Sequence, residues 1–256
     1  MDFQLAGKIA IVAGGSRGCG LACAEELARE GARVVLTGRQ APFVTAAVTQ
    51  IEAAGGTVAG LVTEMISEAD VNHIVTQCRE VFGDPDVLVV NPPSPALIAG
   101  LEAIPEAEYL TAYEYYVLSL VRFLKAVIPA MQEKRWGRVV ALGSVGMKSP
   151  HLQDPQYSQN IRVAAAAVMK TMAHEYARYN ITGNTIATGS FASDLARDYG
   201  AAHGLAPDAF SKVHPMGRIG RPDEMGAVVA FLCSERASFL SGETIRVDGA
   251  ATRNLF

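Results

Sequence analysis

Short, mostly apolar runs alternate along this chain with longer stretches in which apolar residues return every three or four positions. The runs cover residues 9–13, 33–37, 57–62, 87–90, 138–142, 183–187 and 244–247. Each is the length of a strand and lacks a polar alternate face, so each reads as a strand buried on both sides. Between them, residues 21–30, 41–54, 68–82, about 105–134, 155–179 and 222–234 carry helical spacing. In the third of these, the apolar residues fall at 71, 74, 75, 78 and 81, one face of a helix. Buried strands alternating with amphipathic helices predict a single doubly wound α/β domain, its seven-stranded sheet mostly parallel and covered by helices on both faces.

Composition narrows the chemistry. The chain has 256 residues, 50% of them hydrophobic, enough for one full core, and a net charge of −4 with no basic run. Nucleic acid and an anionic membrane surface are therefore not expected partners, and a small molecule is. Four cysteines, at 19, 23, 78 and 233, lack the spacing of a metal site or disulfide framework and read as small core residues of a reducing compartment. No metal site is expected. No apolar stretch reaches the length of a membrane span, and the N-terminus has no signal-peptide pattern, so a soluble cytoplasmic protein is expected.

The candidate chemistry begins where the first strand ends. Residues 13–20 read Ala-Gly-Gly-Ser-Arg-Gly-Cys-Gly, with Gly14, Gly18 and Gly20 between a strand and a helix. Glycines there permit a tight turn and close backbone approach, and a helix N-terminus favours a phosphate. Asn91-Pro92-Pro93-Ser94-Pro95 forms a rigid loop at the C-terminal end of the fourth strand, where open α/β sheets bind ligands.

Taken together and in order, these segments resemble the short-chain dehydrogenase/reductase family over nearly the whole chain. The turn at 13–20 is similar to that family's glycine motif, with Ala13 in place of Thr. Residues 86–89 resemble the strand before its Asn-Asn-Ala-Gly turn, and Gly137-Arg138-Val139-Val140 leads to Ser144 where the family has its active-site serine. Tyr157 follows Ser144 at the family spacing, and residues 214–224 and 239–249 resemble its C-terminal signature.

The resemblance implies a Rossmann-type domain spanning 1–256, a bound dinucleotide, a substrate lid at about 190–215, and a homodimer or homotetramer. It places Gly14, Ser16, Arg17, Gly18, Gly20, Arg39, Glu64, Asn91, Tyr157, Gly189 and Ser193 at the cofactor and Ser144 and Tyr157 at the substrate. Residues 37–39 are Thr-Gly-Arg, without the acid that binds a ribose 2′-hydroxyl, and Arg17 and Arg39 suit a 2′-phosphate, so NADP(H) is the expected cofactor. Phe191, Leu195, Tyr199 and Phe210 are candidates for the pocket wall or for core packing.

Two of the family's four catalytic positions are altered. Ile161 stands where the family has lysine, and Tyr116 where it has asparagine. Lys148, His151 and Arg162 are the cations nearest in sequence to the missing lysine. Arg162 is expected to face elsewhere, because one residue along a helix rotates the side chain by about 100°. Tyr109, Tyr113 and Tyr116 are expected to share one helical face. Val117, Leu120, Val121, Leu124 and Ile128 fit either a subunit interface or packing on the sheet. The expected activity is NADPH-dependent reduction of a ketone or aldehyde, with Tyr157 as proton donor. A non-redox relative (lyase, isomerase or dehydratase) and a cofactor-binding protein without catalysis are the alternatives.

Overall fold

The computed structural model describes residues 2–93, 101–150, 156–193, 197 and 214–255, and the backbone alone for 156–159. Seven strands form one sheet: β1 (Ile9–Ala13), β2 (Arg33–Gly38), β3 (Thr57–Val62), β4 (Val87–Val90), β5 (Gly137–Leu142), β6 (Ile181–Thr188) and β7 (Thr244–Val247). Their order is β3-β2-β1-β4-β5-β6-β7, and every pairing is parallel, so the sheet is wholly rather than mostly parallel. The strand order reverses direction between β1 and β4, which opens a crevice beyond their C-terminal ends.

Among the described residues, seven α-helices flank the sheet: α1 (Gly18–Arg29), α2 (Ala41–Ala53), α3 (Glu68–Val81), α4 (Glu106–Tyr113), α5 (Ser119–Lys134), α6 (Gln156–Tyr176) and α7 (Pro222–Cys233). On one face, Val12, Val34 and Leu36 meet Cys23 and Leu27 of α1, Ile51 of α2, and Met225 and Val229 of α7. On the other, Ile11, Leu88 and Val139 meet Ile74 of α3 with Leu120, Phe123, Leu124, Val127 and Ile128 of α5. Burial of these two apolar layers is the dominant favourable term in holding helices to sheet. Leu120, Leu124 and Ile128 are thus used within the chain, packing on the sheet. Cys23, Cys78 and Cys233 are buried and Cys19 is half-buried, all as free thiols.

Two features differ from those the pattern predicts. The first helix starts at Gly18 rather than 21, since the glycine turn is already helical by its sixth residue. The long helix expected over 105–134 is interrupted at Glu114–Leu118 by a wide π turn, whose i→i+5 hydrogen bonding inserts one residue between α4 and α5. The phase of the tyrosine face is lost there. Tyr113 is 41% exposed, and Ala112 takes its place beside buried Tyr116, Ile104 and the partly buried Tyr109.

Candidate active site

The turn between β1 and α1 is tied down from three sides. The N–H of Gly14 donates to the Thr37 hydroxyl at 3.1 Å, and that of Gly15 donates to the Thr37 carbonyl at 2.9 Å, both at the end of β2. From β4, the Asn91 side-chain amide donates to the Gly14 carbonyl at 2.9 Å. Gly14 has φ of +79°, and a Cβ placed on it would lie 2.1 Å from the Asn91 carbonyl oxygen. A Cβ on Gly20 would lie 2.0 Å from the Gly14 carbonyl. Neither gap admits a side chain, so the backbone closes on itself and the N-terminus of α1 is left facing the crevice.

The other expected cofactor residues surround this turn. Ser16 is half-buried, with its Oγ filling the space above Gly38. Arg17, exposed at the N-cap of α1, stacks its guanidinium 4.1 Å from the centre of the Phe43 ring on α2. Arg39 is exposed immediately after β2, and Glu64 is exposed after β3. Gly189 follows β6, with Asp248 so near that a Cβ would meet its Cα at 2.6 Å. Ser193 approaches the turn, its Cβ 3.5 Å from where a Cβ on Gly18 would stand. Asn91 serves as a brace behind the turn through both its side chain and its backbone N–H, which donates to Ala13. Thr37 shares that role; the sequence drew attention to it for its lack of charge, not for its hydroxyl.

A glycine cradle too tight for any Cβ, an α1 N-terminus beside it, and two arginines with no acid after β2 fit a phosphorylated dinucleotide. Among the described residues, no three His, Cys, Asp or Glu side chains gather as a metal would require, and no helix is long and apolar enough to cross a membrane.

Ser144 lies two residues past the end of β5 and caps a short 3₁₀ turn (Val145–Met147), its Oγ accepting a hydrogen bond from the Gly146 N–H at 3.2 Å. Tyr157 lies in the first turn of α6, which packs against both this turn and the π turn. The Tyr157 side chain, His151, Leu195, Tyr199 and Phe210 lie outside the described residues, as does most of the 190–215 segment, whereas Phe191 is buried in the core against Gly220.

Ile161 packs in the apolar cluster of Tyr116, Ala112 and Ile104, so no amine stands at the lysine position. Arg162 departs from its expected direction. Its guanidinium lies 4.2 Å from the centre of the Tyr116 ring and donates to the Tyr116 hydroxyl at 3.0 Å. That hydroxyl donates in turn to the Pro93 carbonyl at 2.9 Å. The backbone does rotate by a residue's worth, but the long arginine side chain reaches back around α6 to an aromatic face that attracts a cation. Burial raises the Tyr116 phenol above its usual pKa, against the opposing pull of Arg162, and keeps it a neutral donor. Tyr116, Arg162, Val90, Pro92, Met147 and Thr185 line a small cavity of about 20 Å³, open to solvent on one side.

A parallel doubly wound sheet with a glycine turn at its switch point defines a dinucleotide-binding α/β fold. The chain belongs to the short-chain dehydrogenase/reductase family. A family model described as enoyl-(acyl carrier protein) reductase matches residues 13–252. The chain is 31% identical to rabbit (Oryctolagus cuniculus) dehydrogenase/reductase SDR family member 4 over 251 residues, 98% of this chain and 96% of that protein. It is 32% identical to the Escherichia coli 3-oxoacyl-[acyl-carrier-protein] reductase FabG over 258 residues, covering 97% and 98%. Among solved structures, L-sorbose reductase from Gluconobacter frateurii, complexed with NADPH and L-sorbose, superposes with a TM-score of 0.92 at 27% identity over the full length of both chains.

Proposed function

We propose that this protein is an NADP(H)-dependent reductase of small-molecule ketones or aldehydes. The observation that carries the reading is the closed glycine turn flanked by Arg17 and Arg39, with neutral Thr37 and Gly38 ending β2. An acid at that end would repel a 2′-phosphate, and two guanidiniums attract one. The relatives bear on it too, since the sorbose reductase binds NADPH and the FabG proteins are named as 3-oxoacyl reductases.

When bound, NADPH supplies the hydride that reduces the carbonyl carbon. Ser144 holds the carbonyl oxygen by a hydrogen bond, and Tyr157 gives that oxygen its proton. A free tyrosine keeps its proton below a pKa of about 10, the form that reduction requires. With Ile161 at the lysine position, the amine that the family sets beside this tyrosine is missing, and alcohol oxidation, which needs the phenolate, is the proposed poorer direction. The segment 190–215 is the proposed lid that selects the substrate, residues 1–256 are proposed to act as one domain, and the protein is placed in the cytoplasm as a homodimer or homotetramer.

A panel of ketones and aldehydes assayed for NADPH consumption tests the reading. Turnover that falls by about 10²- to 10⁴-fold in Tyr157→Phe is the expected result, the usual worth of a positioned general acid. Undiminished turnover in that variant would remove the assigned donor. The packing of Ile161 and Tyr116 favours one second reading, a protein that binds the cofactor without transferring hydride. In that case NADPH fluorescence changes on binding and no carbonyl consumes it.

A further inference from the structure

The cavity beside the π turn is lined by two residues, Thr185 and Arg162, each with a buried polar atom that the described residues leave without a hydrogen-bond partner. Thr185 on β6 is 3% exposed, and its hydroxyl has no hydrogen-bond partner. Among the described residues, Arg162 donates to the Tyr116 hydroxyl and its buried Nε has no acceptor. Both line the same cavity. The strand register explains why they converge there. Val90, Ala141 and Thr185 are aligned across β4, β5 and β6, so all three project from the same sheet face, toward α5 and α6.

A half-buried guanidinium without a counter-charge is uncommon, because burying a charge is costly unless it is paired and hydrogen-bonded. Stacking on Tyr116 and a hydrogen bond to its hydroxyl fix the orientation of Arg162 but, among the described residues, satisfy one of its five N–H donors. Tyr116 does not complete the site with a proton of its own, since its hydroxyl hydrogen is committed to Pro93. The remaining wall is apolar, formed by Val90, Pro92, Leu120 and Met147. The missing element is a compact, planar acceptor carrying negative charge, which a guanidinium binds through parallel hydrogen bonds.

We infer that this cavity is a carboxylate subsite, and that the protein acts on carbonyl compounds bearing a carboxylate, with Arg162 as the residue that selects it, oriented by Tyr116, and the Thr185 hydroxyl as a second donor. The statement about turnover rests on the reductase reading; the statement about carboxylate binding does not. It also assigns a role to the two departures at the family's catalytic positions. Tyr116 and the cation beside Ile161 form a recognition pair instead of a proton relay.

The experiment compares 2-, 4- and 5-oxo acids with their methyl esters, whose carbonyls match but whose carboxylates are masked. Binding of each to the NADP⁺-loaded protein is measured by calorimetry, and NADPH consumption separately. At least one acid should bind, and react in kcat/KM, about tenfold to hundredfold better than its ester, the worth of a charge-assisted hydrogen bond. The difference should lie mainly in KM. In Arg162→Gln the ratio should collapse toward one, and in Arg162→Lys, which keeps the charge but not the fork, it should be partly kept. Should Arg162→Gln fail to fold, the wild-type ratio of acid to ester still decides. Carboxylate binding that depends on Arg162 without NADPH consumption would uphold the subsite and overturn the reductase reading. Reduction of esters and acids alike would overturn the subsite, leaving water as the cavity's occupant, and leave the reductase reading standing. No binding of any acid would overturn the subsite as well.

Discussion

Gly20 has room for no side chain, because the Gly14 carbonyl stands 2.0 Å from where a Cβ would be built and is itself held by Asn91. Gly20→Ala must therefore push the turn open, and both the fold and the cofactor site depend on that turn. The expected outcome is a loss of about 1–3 kcal/mol in urea unfolding, the scale of overpacking in a tight site, with NADPH affinity falling in parallel. Unchanged NADPH affinity would separate the turn from the cofactor. The cysteines give a second prediction at this scale. Burial pushes Cys19 up to about 11 and Cys78 and Cys233 up to about 12, and raises Cys23 well above the ordinary thiol value. At pH 8 less than about one thiol in a thousand is then thiolate, so none of the four should be alkylated by iodoacetamide until the protein unfolds. Rapid labelling of the native protein would contradict their placement. The glycine positions were legible in sequence because one residue type answers one steric demand. The direction of Arg162 was not, because its partner Tyr116 lies 46 residues away on another helix.

Between residues and fold, the segment from 106 to 134 shows what periodicity can and cannot give. Its apolar repeat correctly indicated helix on both sides of Glu114–Leu118, yet a single inserted residue leaves the composition unchanged and only shifts the phase. Tyr113 thereby turned to solvent, and Ala112 and Tyr116 turned inward. Arg122 pins the wide turn in place, bonding to Glu114 at 2.8 Å and to the Ile66 carbonyl. The α3 N-terminus was simpler to read. Ser67 accepts from the Asp70 N–H at 3.0 Å while the Asp70 carboxylate accepts from the Ser67 N–H at 2.9 Å, a capping box at the head of an amphipathic repeat. Ser67→Ala should lower stability by about 1 kcal/mol in urea unfolding and leave NADPH affinity untouched, since the cap is remote from the glycine turn. A matching loss of cofactor binding would show that α3 is coupled to the site.

Across the whole molecule, the sheet order brings the ends of β1, β2 and β4 together, which is why residues as distant as Gly14, Thr37 and Asn91 build one turn. The parallel sheet itself was legible in buried strands alternating with helices, but the order of its strands was not read from the pattern. The association of whole chains did not follow in the same way. Leu120, Leu124 and Ile128 are occupied by the chain's own sheet, so the proposed dimer or tetramer rests on family resemblance, and light scattering should return twice or four times 27.1 kDa. A mass of 27.1 kDa would refute that assembly. The central claim, that the turn beside Arg17 and Arg39 holds the phosphorylated cofactor, is tested most directly by titrating NADPH and NADH into the wild-type protein and into Arg17→Ala/Arg39→Ala. NADPH should bind about tenfold or more tighter than NADH, with most of that margin lost in the double variant, as expected for charge-assisted contacts to one phosphate. NADH binding as tightly as NADPH, or a margin unmoved by removing both arginines, would contradict the account.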